Sequence, residues 1–307
     1  SHAVLFPGFR RPGGAYIPDF MLNTCKDKPY RDDFGCIWET TQDGITGTVT
    51  GHPLPDWMNF DNYTIPDPHQ SMGLGPVDWP SVARNMTDRK RNGDLTYGEL
   101  RHGHTFLQIC DIRGYQNVLF DMMDEEPRLE KLIAMVEEFN LFIVETYIKM
   151  GVDIMAYAED LGMQKGPMLS PYLFRKYIKP SYQRLMAPAR RSGVIVHMHS
   201  DGDIRDLVED IMDGGVDIIN LQDLVNGIEW IANRFAGKTC VELDIDRQCV
   251  TASGTPMQID ALIREEVERI GCKAGGLMMV YGLYPGIPMM NIKALMDAME
   301  KYAFMYS

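Results

Sequence analysis

Val194-Ile195-Val196-His197-Met198-His199-Ser200-Asp201 reads as a strand with two unlike faces. Side chains of an extended chain alternate, so Val194, Val196 and Met198 share one face while His197, His199 and Asp201 share the other. Before this run, Ser170-Pro171 opens a helical stretch that continues to Gly193. After it, Ile204 to Met212 reads as helix and Gly214-Gly215 ends it. The alternation continues in both directions. Upstream, Pro127 follows Asp124-Glu125-Glu126, a favourable start because anionic groups face the positive end of the helix dipole. Leu129, Leu132, Ile133, Val136, Phe139 and Ile143 recur at helical spacing up to Gly151, and Val152 to Tyr157 is strand-like. Downstream come strand Val216 to Leu221, helix Ile228 to Phe235, and strand Thr239 to Asp244. Thr255-Pro256 then starts a helix to Ile270, Leu277 to Val280 is a strand, and a last helix carries Ile292, Leu295, Met296, Met299 and Tyr302.

Five strand–helix units in succession, with strands too apolar for one exposed face, predict parallel strands under a layer of helices. No G-x-G-x-x-G follows any strand, so a dinucleotide-binding open sheet would lack its phosphate loop. The expected fold is α/β, a single (β/α)8 TIM barrel over residues 1–307. Its N-terminal segment is irregular, with punctuation at Pro12-Gly13-Gly14, His52-Pro53, Pro66-Asp67-Pro68 and Asn92-Gly93, and is expected to supply the earlier strands. The opening Ser1-His2 lacks an initiator methionine and reads either as an expression remnant or as a trimmed start with residues upstream.

Composition narrows the function. The 307 residues are 45% hydrophobic and 24% charged, a globular balance that excludes general disorder. A net charge of -13 repels phosphate and argues against a nucleic-acid partner. No stretch approaches ~18 uninterrupted apolar residues, so no membrane span is expected. Six scattered cysteines without a C-x-x-C pair read as reduced thiols of a cytoplasmic protein.

Polar groups recur at the end of strand after strand: Tyr157-Ala158-Glu159-Asp160, His197 to Asp201, Asn220-Leu221-Gln222-Asp223, Glu242-Leu243-Asp244-Ile245-Asp246, and Tyr281. In a barrel those ends form one mouth, where function resides. Alternation turns Tyr157 with Glu159, Asn220 with Gln222, and Glu242 with Asp244 and Asp246 inward. Burying this many carboxylates without a cation or substrate is costly. His199, Glu159 and Glu242, with Asp201 beside them, are the expected metal set, since one imidazole with two or three carboxylates suits zinc with an open position. Asp201 and His197 are the candidate catalytic groups. Tyr157, Asn220, Gln222, Asp244 and Tyr281 are candidate substrate contacts in a pocket with an acidic floor and apolar walls. The competing interpretation is a proton-sharing polar cluster that holds only water. His102-Gly103-His104 also has the look of a ligand pair, but it falls in the irregular segment and is not placed at the mouth.

At these residues the sequence resembles the uroporphyrinogen decarboxylase superfamily. Ala158-Glu159-Asp160-Leu161-Gly162-Met163-Gln164 with Leu169-Ser170-Pro171 is similar to its D-D-x-G-x-Q…S-P stretch, and His199-Ser200-Asp201-Gly202 to its H-x-C-G strand end. Asp33 to Trp38, His52-Pro53-Leu54, Asn220-Leu221-Gln222, Asp246-Arg247-Gln248 and Pro288 to Ile292 complete the order. The resemblance implies a (β/α)8 barrel. In the decarboxylase branch an R-Q-A-G-R-Y segment binds the acidic tetrapyrrole. Here Arg11 survives as a substrate-binding candidate, while Ala15 stands where the second arginine belongs. The branch of cobamide-dependent methyltransferases holds zinc with H-x-C and a later cysteine. His199 matches that histidine, Asp201 replaces the first cysteine, and Leu283 stands near the second.

The resemblance therefore implies a methyltransferase that works with a corrinoid (cobalamin) protein as partner. A zinc ion would polarise a small-molecule ether or thiol. The alternatives are a decarboxylase acting on tetrapyrroles and a non-catalytic barrel that binds a small molecule.

Overall fold

The computed structural model describes residues 25–41, 43, 46–283 and 286–306. Strands β1 (Tyr30–Arg31), β2 (Ile37–Glu39) and β3 (Thr48–Gly51) form a small antiparallel sheet. Six further strands run parallel: β4 (Tyr97–Glu99), β5 (Ile154–Ala158), β6 (Ile195–Ser200), β7 (Ile218–Gln222), β8 (Cys240–Asp244) and β9 (Leu277–Val280). Their order in the sheet is their order in the chain, β4-β5-β6-β7-β8-β9, with helices between successive strands. This is the α/β arrangement of a TIM barrel, in which each crossover carries the chain to the next position round the wall. Of the irregular segment, only β4 joins the parallel sheet among the described residues. The links between β1, β2 and β3 are too short for parallel crossovers, so those strands pair with each other as hairpins.

The helices follow from local sequence. Pro127–Met150 is one helix, opened by the Glu126 carboxylate on the Arg128 N–H and ended by Gly151 at φ 75. Its Leu129, Leu132, Val136, Phe139, Ile143 and Tyr147 are buried. The ring of Tyr147 lies over Gly98 of β4, where a Cβ would come within 2.5 Å of it, so only glycine lets this helix approach the sheet. The helix expected from Ser170 to Gly193 is broken into Pro171–Leu173, a π-helical turn Phe174–Ile178, and Lys179–Arg191. Pro180 cannot donate to the ladder, and the chain widens just before it. Phe106–Arg113 and Tyr115–Met123 are helices that periodicity does not reveal, because the first buries most of its circumference and Gly114 separates them. The buried apolar side chains form one connected core, in which Phe34, Trp38 and Leu54 of the N-terminal part join the helices and strands of the parallel sheet. Among the described residues, no helix is long and apolar enough to cross a membrane.

Candidate active site

Neighbours in register on parallel strands share a face, so the pairing fixes what points into the barrel. Ala158, His199, Asn220, Glu242 and Met278 form one inward row. Ala156, His197, Ile218 and Cys240 form the row beneath it, and Gln222, Asp244 and Val280 the row above. The inward side chains of β5 are thus Ile154 at its start and, level with the histidines, two alanines. They leave open space in front of the histidines of β6.

At the rim of that space His102 Nε2 lies 3.1 Å from Asp160 Oδ1, and His199 Nε2 lies 3.4 Å from the same oxygen. One ligand atom from each of His102, Asp160 and His199 falls within 4.8 Å of the others. The donors come from the loop after β4, the loop after β5 and the end of β6. Asn220 sets the tautomer of His199. Its Nδ2 donates to the Glu242 carbonyl at 2.9 Å, which leaves Oδ1 to accept from His199 Nδ1. His199 Nε2 is thereby turned toward Asp160. Burial works against the charged imidazole, but Asp160 and Asn220, with Asp201, carry its pKa up to about 8. Burial also opposes ionisation of Asp160, yet His102 and His199 hold its carboxyl far below the ordinary range. Both shifts favour an ion pair between a protonated His199 and an ionised Asp160.

Two loops are locked together behind this rim. Leu161 N–H donates to Ser200 Oγ at 2.9 Å and Gly162 N–H to the Asp201 carbonyl at 3.2 Å. Asp201 N–H in turn donates to Asp160 Oδ1 at 3.1 Å. A Cβ on Gly202 would lie 2.2 Å from the carbonyl carbon of Gly162, so the two backbones touch directly.

Two further ionic groups flank the cluster, one reaching into the row beneath it and one into the row above. His197 Nε2 is 2.8 Å from Glu242 Oε2, and that contact holds Glu242 below its ordinary pKa. Arg247 bridges Asp201 Oδ2, at 2.8 Å, and Asp244. Burial lifts Asp244 to about 6 despite the pull of Arg247. Among the described residues Asp201 Oδ1 is buried without a hydrogen-bond partner, and it lies 3.8 Å from His199 Nε2, beside the cluster.

The family signature of uroporphyrinogen decarboxylase (URO-D) matches residues 97–302, which is the whole parallel sheet and its helices. The chain belongs to the uroporphyrinogen decarboxylase family. It is 30% identical over 197 residues to uroporphyrinogen decarboxylases from two strains of Thermus thermophilus, an alignment covering 62% of this chain and 54% of the relative. The chain thus spans about half the length of these relatives. Among solved structures, a methyltransferase from Methanosarcina mazei superposes with a TM-score of 0.67 at 18% identity, covering 88% of this chain and 77% of that one. That likeness is one of fold.

The uroporphyrinogen decarboxylase motifs meet at the rim through Asp160 and His199, but several expected site residues lie elsewhere. Glu159 is fully buried among helices: it accepts Thr105 N–H and Leu107 N–H, each at 2.9 Å, and the Tyr182 hydroxyl. Burial raises its pKa to about 7 against those donors. It caps the helix Phe106–Arg113 and is no ligand of His199. Tyr157 is likewise in the helix layer, donating to the Leu185 carbonyl at 2.9 Å, because it pairs with Met198 and not with His199. Glu242, expected as a ligand, is occupied with His197. Asp246 accepts the Cys249, Val250 and Thr251 N–H groups and starts a short helix there, so it does not face inward with Asp244. Asn220, Gln222 and Asp244 do face inward, and Gln222 Oε1 receives Gly202 N–H at 3.0 Å. The Tyr281 hydroxyl donates to Thr251 Oγ1 at 3.1 Å. Arg11 lies outside the described residues. Sequence reasoning missed His102, Asp160 as a ligand, and Arg247. The His102-Gly103-His104 pair was the one visible signal, and it divides: His104 is buried against Tyr157 and Tyr182, with its pKa pushed down by burial to about 3.

Proposed function

We propose that this chain is a metal-assisted methyltransferase of the uroporphyrinogen decarboxylase family, working on a small molecule with a corrinoid protein as partner. The observation that carries the reading is the His102, Asp160 and His199 cluster at the strand ends, with its donor atoms within 4.8 Å. Two imidazoles and a carboxylate suit zinc with an open position, and the buried Asp201 Oδ1 beside them adds to the fit. A zinc ion bound there would act as a Lewis acid on an ether oxygen or a thiol sulfur. The chain's own residues do the rest. Asn220 holds the His199 ring so that Nε2 faces the rim. Arg247 holds Asp201 and Asp244 in place while balancing part of their charge. Met278 and Val280, on the inward face beside Glu242 and Asp244, give the substrate apolar walls. All six cysteines are free thiols, in keeping with a cytoplasmic setting.

The test combines metal analysis with a methyl-transfer assay. Protein purified without chelator is expected to hold one metal per chain, which His199→Ala and Asp160→Asn both lose. Metal-loaded protein is expected to exchange methyl groups between cobalamin and a methoxylated compound or thiol, followed by the change in corrinoid absorbance. Full activity without metal would overturn the metal role. The identity to the Thermus decarboxylases supports a second reading, a decarboxylase of tetrapyrroles, and conversion of uroporphyrinogen to coproporphyrinogen would establish it.

A further inference from the structure

His102 brings an exposed side chain, 52% accessible, to the rim, and among the described residues its ring has a single hydrogen-bond partner there, Asp160. An imidazole so placed keeps its position only if its backbone is fixed. Two anchors fix it. On one side Gly103 N–H donates to the Ala158 carbonyl of β5 at 2.8 Å. On the other, Arg101 Nε donates to the carbonyl of His102 at 3.1 Å.

Arg101 is itself held rigidly, with 4% of its side chain exposed. Nη2 reaches Asp111 Oδ2 at 2.9 Å, Nη1 reaches Gln108, and Asp32 Oδ2 lies 3.9 Å away. The guanidinium stands over the Trp38 ring, 5.6 Å from its centre. Asp32 is fixed in turn by the Cys36 N–H at 2.8 Å and by Trp38 Nε1 at 2.9 Å, both of the N-terminal sheet and its first turn. Neutralising Asp32 and Asp111 would take only the two terminal nitrogens. The third donor goes to the peptide of the candidate ligand.

We propose that Arg101 is a positioning residue for the metal site. It fixes the His102 peptide so that the imidazole meets Asp160 and His199, and it makes the sheet that carries Asp32 part of the site's support. The proposal rests on reading His102, Asp160 and His199 as a metal site.

Titration with cobalt(II), followed by the visible absorption of the bound ion, tests both levels. A wild-type chain that binds no cobalt(II) removes the metal reading and this proposal with it. If the wild type binds, a double-mutant cycle decides the proposal alone. Arg101→Met is expected to weaken binding by about 10- to 100-fold, the usual cost of losing a group that orients a ligand. In a His102→Ala background the same change is expected to cost less than about twofold, because the ligand it positions is gone. Equal weakening in both backgrounds, or none in the wild type, would overturn it. Arg101→Met also leaves Asp32 and Asp111 without their cation, so Arg101→Lys serves where the first variant does not fold. Lysine keeps the charge but cannot reach Asp111 and the His102 carbonyl together. It is expected to show the same loss of cobalt(II) affinity at a near-normal melting temperature, and full affinity would count against the proposal.

Discussion

Replacing Glu159 with alanine would strip the Thr105 and Leu107 N–H groups and the Tyr182 hydroxyl of their shared acceptor inside the helix layer. Each buried donor left unpaired costs about 1–3 kcal/mol. Glu159→Ala is therefore expected to lower stability by at least about 3 kcal/mol, read from denaturant unfolding, while the folded protein still takes up metal. Asp160→Asn is expected to do the reverse. Two adjacent acids thus separate fold from site, and loss of metal in both variants would contradict the separation. Sequence alternation could not tell them apart. The period of two runs on past the end of β5, with Ala156, Ala158 and Asp160 toward the mouth and Tyr157 and Glu159 in the helix layer; its phase was misread because the inward residues nearest the mouth are alanines, which carry no polar signal. His197, His199, Asn220 and Asp244 were legible because they alternate with large apolar residues, Val196, Met198, Ile219, Leu221, Val241 and Leu243, which are buried and set the phase.

At the scale of elements, the contact between the loops after β5 and β6 is the most demanding packing of the rim. Gly202 has φ 79, and a Cβ there would meet Gly162 carbon and oxygen at 2.2 and 2.3 Å. Gly202→Ala must move one backbone away from the other and is expected to cost more than about 3 kcal/mol and to weaken metal binding. Gly166, in the facing loop after β5, offers the control. It also has positive φ, 84, but nothing lies within 4 Å of its would-be Cβ. Gly166→Ala should cost about 1 kcal/mol, the backbone penalty alone, and leave metal affinity unchanged. Melting curves of the two variants compare them directly. The order of strands and helices from residue 127 onward was readable because the crossover helices are one-faced and bounded by Gly or Pro, even where they are as short as Val208–Met212. β4 was not, since a strand as short as Tyr97-Gly98-Glu99 with a central glycine carries no periodic signal. His102 was hidden with it, because its place at the rim follows from that strand.

Across the whole molecule, pH acts most strongly away from the rim. Glu266, on the helix Pro256–Ile270, is buried facing Asp223 at the end of β7. Burial first, and then the charge of Asp223, raises its pKa far above the ordinary carboxyl range, while Asp223 itself accepts the Asp246 and Leu224 N–H groups. The sign follows from proton counts. Folded Glu266 keeps a proton that the unfolded chain releases above about pH 4.5, so stability falls as pH rises through neutrality. Glu266→Gln keeps the shape and a donor for Asp223 without that proton uptake. It is expected to raise the melting temperature at pH 8 by at least ~2–4 °C and to flatten the decline between pH 6 and 9. An unchanged slope in a pH series of melting curves would show that the pair is not protonated.

The backbone contact between Gly162 and Gly202 also bears on how this barrel can be recombined. Asp160 and Asp201 are held by loops that fit only each other, so they are inherited as one cassette although some forty residues of helix and strand lie between them in the chain. A chimera with a crossover inside the helix Lys179–Arg191 would join a Gly162 loop from one parent to a Gly202 loop from the other and break the match. A crossover placed after Asp203 would transplant both halves together, and libraries built at that point should retain far more folded members.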